Sequence, residues 1–187
     1  MGGPPDRGCR PENMGRKKGT RMQDGLTDIE PGMTEGAPGL ERRMVLRVLH
    51  RWREVSGEHA MPLIGDVSAE AFREFWPYCF VLDFTRGEEN PVFLEFGEEL
   101  EEICGRNMAR RPAKETPAPT VMSESFRYCY EVLRKKVPVT RGGELRQGNG
   151  TLVLYRSVLL PITTGGEDVT HILGAANCRV AATGSAE

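Results

Sequence analysis

The chain has 187 residues, enough for one folded domain with tails but short for two. It is 39% hydrophobic and 28% charged with a formal net charge of -2, a near-neutral balance that gives no general attraction to nucleic acid or anionic lipid. Its longest apolar runs, such as Cys79–Leu82 and Val158–Pro161, are far too short to cross a bilayer, and no charged start followed by an apolar segment marks a secretory leader, so the expected compartment is the cytoplasm.

Residues 1–39 are rich in Gly and Pro and poor in large apolar side chains, and such a segment buries too little surface to offset its ordering entropy. They are read as a disordered tail. Order is expected from Leu40. The stretch LERRMVLRVLHRWREVSG, residues 40–57, places Val45, Val48, Leu49, Trp52 and Val55 on one helical face, and Gly57 stops it. That narrow apolar face suits packing on a sheet or on a second copy of itself.

In the next segment Phe72, Phe75 and Trp76 are helix-spaced and Pro77 ends the turn. Tyr78–Phe84 is a dense β-former run, followed by the turn Arg86–Pro91 and a second strand, Val92–Phe96. GEELEEICG predicts one to two helical turns with Leu100, Ile103 and Cys104 inward and Gly105 as the stop. After the proline-rich loop 112–119, Thr120 or Ser123 can cap a long helix in which Met122, Phe126, Cys129, Tyr130, Leu133 and Val137 recur at helical spacing. The last third reads as strands: Val139–Arg146, with Gly142-Gly143 suggesting a bulge or bend, then Leu152–Thr163 and His171–Val180. The order predicts an α+β fold on an antiparallel sheet, occupying residues 58–182 after the helix 40–57, with a short tail at 183–187.

Chemical signatures are sparse. The five cysteines (Cys9, Cys79, Cys104, Cys129, Cys178) are odd in number and never form a CxxC pair, which argues against a disulfide framework or a zinc site. Three histidines, His50, His59 and His171, limit acid–base or metal chemistry further, and no metal is expected. No phosphate loop, nucleophile elbow or HExxH pair is present, and Glu98, Glu99, Glu101 and Glu102 decorate one short solvated helix, so no enzyme is expected.

Trp76-Pro77 through Asp83, the step Gly105-Arg106-Asn107, and Leu160-Pro161 resemble the structural motifs of a family of short, mostly stand-alone bacterial PAS proteins, with Trp76 in place of the more usual Leu. The resemblance covers Leu40 to Ala182. It implies a PAS fold, in which a five-stranded antiparallel sheet curves around flanking helices and the space between holds a small ligand or plain side chains. It also implies an N-terminal helix that packs on the sheet or joins two protomers. A homodimer is expected, with Val45, Val48, Leu49 and Trp52 at its interface.

The string GAANCRV, residues 174–180, imitates the reactive-cysteine motif of flavin photosensors, but it lies on the last strand. In those photosensors the cysteine sits on the helix between the second and third strands. The corresponding segment here is ICGRNMARR, where Met108 occupies the cysteine slot and has no S–H to give. Haem ligation is disfavoured too, because residues 120–137 hold no histidine. No cofactor is expected. For a small organic ligand, Phe96, Met108, Phe126, Tyr130 and Tyr155 would line the space, with Arg156, His171 or Asn177 as polar anchors, unless these side chains simply fill the core. The functional expectation is a cytoplasmic sensory or adaptor module without its own output domain, working through contacts with a signalling protein. The alternative is a small-molecule binding protein or minor enzyme using the same pocket.

Overall fold

The computed structural model describes residues 40–148 and 150–181; the tails expected at 1–39 and 183–187 lie outside the described residues. A five-stranded sheet is the middle layer, formed by β1 (Cys79–Asp83), β2 (Val92–Phe96), β3 (Val139–Arg146), β4 (Leu152–Ile162) and β5 (His171–Val180) in the order β2-β1-β5-β4-β3. Every neighbouring pair is antiparallel. The α+β sheet expected of the sequence is thus present, and the last strand of the chain sits at its centre.

Each face of the sheet carries its own apolar layer. On the first face lies α1 (Leu40–Ser56), together with α2 (Ala69–Phe72) and the 3₁₀ segment Arg73–Tyr78 that leads into β1. Ser68 caps α2 by accepting a hydrogen bond from the Ala71 amide at 3.2 Å. The α1 stripe of Val45, Val48, Leu49 and Trp52 packs against Val81, Val158, Leu160, Ile162, Leu173 and Ala175. The Trp52 Nε1 donates to the Pro161 carbonyl at 3.0 Å, so the ring's polar atom is satisfied inside the layer. The four residues expected at a protomer interface are therefore buried by this chain's own sheet. An apolar helical stripe is covered by whatever surface the fold brings near, and here that surface is intramolecular.

The second face is covered by α3 (Glu98–Cys104), α4 (Val121–Phe126) and α5 (Cys129–Lys135). Gly105 ends α3 in the left-handed conformation at φ 74°, as its place in the sequence suggests. Thr120 and Ser123 form a reciprocal capping box at the start of α4. The single long helix expected over 120–137 is two segments joined at Arg127-Tyr128. Past that joint the buried positions are Cys129 and Val132, whereas Tyr130 and Val137 face solvent. Arg141 of β3 ties α5 to the sheet: its guanidinium donates to Glu131 at 2.8 Å and lies 4.8 Å from the Tyr128 ring centroid.

One local expectation changes. Gly142 and Gly143 form no bulge, since β3 pairs with β4 in continuous register. The glycines make room instead: a Cβ on Gly142 would meet the Arg156 Cδ at 2.7 Å, and one on Gly143 would meet the Tyr155 ring at 3.4 Å. The register shift of the sheet falls between Val81 and Leu82 on β1. Beside it, the outer edge of β2 is covered, because the Phe93 amide donates to the Arg111 carbonyl at 3.0 Å and the Arg110 amide to the Phe93 carbonyl at 2.7 Å.

Candidate functional site

The space between the sheet and α3–α5 is where the expected ligand-lining residues should meet. Strand alternation decides which do. Phe80 and Leu82 of β1, Tyr155 and Leu159 of β4, and Ile172 and Ala176 of β5 belong to this interior. Their odd-even neighbours Val81, Val158, Leu160, Leu173 and Ala175 belong to the α1 layer. By the same alternation Arg156, His171 and Asn177 lie on the α1 side of the sheet, and Arg156 and Asn177 are cross-strand partners there. None of the three is placed to anchor a ligand in the interior. Tyr130 is 49% exposed and its hydroxyl donates to the Glu88 carbonyl at 3.3 Å, so it lines nothing inside. Of the eight residues expected around a ligand, the structure brings Phe96, Met108, Phe126 and Tyr155 together.

Those four meet aromatic residues that the sequence reading passed over. Phe93 packs edge-on against Phe96 at 5.0 Å between centroids and against Phe80 at 5.8 Å, and Phe126 lies 5.5 Å from Phe93 and 6.2 Å from Phe80. Phe80 crosses the strand pair onto Gly174, with which it is in register; a Cβ there would lie 1.9 Å from the ring. Met108, Met122 and Leu100 are fully buried around this cluster. The two-residue period of β1 puts Phe80 on the face of Leu82, whereas Phe93 and Phe96, three residues apart, share a face only because the register shift skips Leu94, which a strand period does not reveal.

Two thiols of this interior are held in the protonated form by burial. Burial pushes Cys104 up to about 11, against the opposing influence of Arg106 and Thr120. Burial likewise pushes Cys129 up to about 12. Both stay protonated at neutral pH, and a thiol is a poor nucleophile and metal ligand. Cys178 of the Asn-Cys-Arg string is half-buried and packs against the same interior. In the segment GRNMARR, Asn107 shapes the turn: its Oδ1 accepts from the Ala109 amide at 2.7 Å and its Nδ2 donates to Glu101 at 2.9 Å. Met108 is thereby aimed inward, where the sequence places a thioether and no thiol. Among the described residues no group of three or more His, Cys, Asp or Glu side chains could hold a metal ion.

On the α1 side, His171 faces Asp83, with Nε2 3.7 Å from Oδ1, and its Nδ1 lies 2.9 Å from the Thr170 hydroxyl. Burial holds His171 below its ordinary value, and the Asp83 charge opposes that. Burial pushes Asp83 up, but hydrogen bonds from the Thr85 hydroxyl and amide, with His171 and Arg86 nearby, outweigh it and leave the carboxyl below its ordinary value.

A family model described as PAS domain matches the chain over residues 41–177, the stretch that forms this sheet and its helices. The chain belongs to the PAS domain family. No curated protein matches it. PAS domains are sensory modules of signalling systems and generally non-catalytic, and that coarse function comes with the family. In this PAS domain the interior is occupied by the Phe80, Phe93, Phe96 and Phe126 cluster. Two clefts among the described residues lie outside this interior: one of about 340 Å³ between α1 and the segment from α2 into the 3₁₀ turn, and one of about 610 Å³ between residues 59–63, Lys136 and the β4–β5 turn. No described helix is long and apolar enough to cross a membrane.

Proposed function

We propose that this PAS domain is a sensory or adaptor module whose output is a protein–protein contact, made by a homodimer with a signalling partner. The observation that supports this reading is the filled interior. Four phenylalanine rings gathered on Phe93, closed by Phe80 on Gly174, take the volume in which a PAS ligand would sit. A partner then reads the surface of the domain. Since Val45, Val48, Leu49 and Trp52 are covered within the chain, the self-contact uses other surface, and Leu46 on the outward side of α1, 50% exposed, is one apolar element of it.

The test is mass and spectrum together. Native mass spectrometry of the purified protein should give twice the chain mass with no additional small molecule, and the solution should show no visible absorption band. A partner recovered from the source cell should remain bound when the tag is moved to that partner. A bound small molecule released on denaturation would remove the filled-interior support, and a native mass of one chain would remove the homodimer.

A further inference from the structure

The smaller cleft lies between α1 and the segment from α2 into the 3₁₀ turn, and has a volume of about 340 Å³. Its polar lining is Arg47, His50, Arg51 and Glu54 from α1, and Arg73 and Glu74 from across the gap. Two of the guanidiniums are fixed in advance. Arg47 donates to Glu74 at 2.7 Å and sits 4.8 Å above the Phe75 ring centroid. Arg51 donates through Nε to the Ala71 carbonyl at 2.6 Å and through one terminal nitrogen to Glu54 at 2.9 Å. A guanidinium has five N–H donors in a planar fork, so both arginines keep donors uncommitted.

Arg73 differs from both. It follows α2 at φ 45° and ψ -117°, a conformation that favours glycine, yet it carries a long cationic side chain. Its amide donates to the Ala69 carbonyl, but its side chain is exposed and, among the described residues, makes no hydrogen bond or ion pair. A strained backbone that presents an unpaired cation to a cleft already holding two oriented guanidiniums is a combination that a purely structural turn does not need. The arginines outnumber the glutamates there, in a chain whose formal net charge is -2.

We propose that this cleft binds a phosphoryl-type oxyanion, held by Arg73 and by the uncommitted donors of Arg47 and Arg51. Glu54 and Glu74 already occupy the positions in which a planar carboxylate would pair with Arg51 and Arg47. A tetrahedral oxyanion offers acceptors in further directions and reaches a third guanidinium without displacing either glutamate. Prior fixing of Arg47 and Arg51 lowers the ordering cost of binding. The bound anion would tie α1 to the segment that enters β1, and it does so whether or not the domain signals.

Calorimetric titration of the full chain with inorganic phosphate and with pyrophosphate, beside thermal melts, tests this. Pyrophosphate should bind saturably at one site and raise the melting temperature. Arg73→Ala should weaken it about tenfold or more, and Arg73→Lys should stay within about threefold of wild type. Arg73→Gly separates binding from folding: relief of the backbone should raise the melting temperature of the free protein while binding weakens as in Arg73→Ala. Absence of saturable binding at about 10 mM pyrophosphate, where a site would be weaker than any useful affinity, overturns the proposal. So does unchanged affinity in Arg73→Ala and Arg73→Gly, or citrate binding as tightly as pyrophosphate.

Discussion

Gly174 shows how one position can hold a core together. It is the first letter of GAANCRV, a string that draws the eye to its cysteine, yet the glycine is the residue the fold cannot exchange. Phe80 lies across it in the strand pair, fully buried between Phe93 and Phe126. A methyl group on Gly174 would overlap the ring, and the ring has no free space to move into. Gly174→Ala should therefore lower stability by about 1–3 kcal/mol, and adding Phe80→Leu should recover part of that loss. Urea unfolding midpoints measure both, and an unchanged midpoint in the single variant would show that the interior is looser than the contacts indicate. His171 makes a second argument at this scale. Its folded pKa lies below its unfolded value, so the unfolded chain takes up the proton first. The stability it preserves at neutral pH is lost as pH falls through about 6.5, the ordinary histidine value, towards the folded one. Asp83, held below its ordinary value, stays ionised through that window and does not confuse it. His171→Gln should flatten the decline in unfolding midpoint between pH 7.5 and 5.5 relative to wild type. An equal decline in both proteins would assign the pH dependence to another group.

At the scale of elements, α1 was legible as a helix and not as a neighbour. The spacing of Val45, Val48, Leu49 and Trp52 specifies a face, and all four are buried on it. Nothing in that spacing tells a sheet from a second helix, because an apolar stripe has no directional chemistry until Trp52 finds the Pro161 carbonyl. Replacing Val48 with Asp therefore tests folding rather than assembly. It would bury a carboxylate with no partner against Val158 and Leu173, at a cost of several kcal/mol. We expect Val48→Asp to be expressed as an aggregating or dye-binding species, seen by light scattering and by fluorescence of a hydrophobic probe. A well-folded Val48→Asp monomer of unchanged midpoint would return α1 to the role of a protomer interface. The strands were legible to within a residue or two, since β-branched and aromatic runs bounded by Gly, Pro and Asn are strong local signals. The helix over 120–137 was legible only in its first half. Its periodic pattern continues smoothly through Arg127-Tyr128, and the contacts made beside the joint, Arg141 of the following strand on Tyr128 and Glu131, leave no mark in that pattern.

For the whole molecule, the decisive fact is that one sheet serves two cores. β1, β4 and β5 send alternate side chains into the aromatic interior and into the α1 layer. Single-sequence reading grouped Arg156, His171 and Asn177 with Tyr155 because it treated the strands as linings. The alternation that separates residue 155 from 156 was present in the sequence, whereas the sheet order that places β5 beside β1 was not, since it joins residues about ninety positions apart through tertiary pairing alone. This shared sheet also makes a mechanical claim. Loss of packing on one face removes support for strands that the other face needs, so the two layers should unfold in one transition. Trp52 reports the α1 layer from its buried position, and far-ultraviolet circular dichroism reports the whole. In a Trp76→Phe background, urea transitions followed by tryptophan fluorescence and by circular dichroism should coincide. Phe126→Ala opens the opposite core, and a Phe→Ala truncation there should cost about 3 kcal/mol, somewhat less if its half-buried site lets water fill the space. Both transitions should then move to lower urea together. If the Trp52 transition kept its midpoint while the other moved, α1 would be an independently stable layer, and signals could pass by its release from the sheet rather than through a change in the domain as a unit.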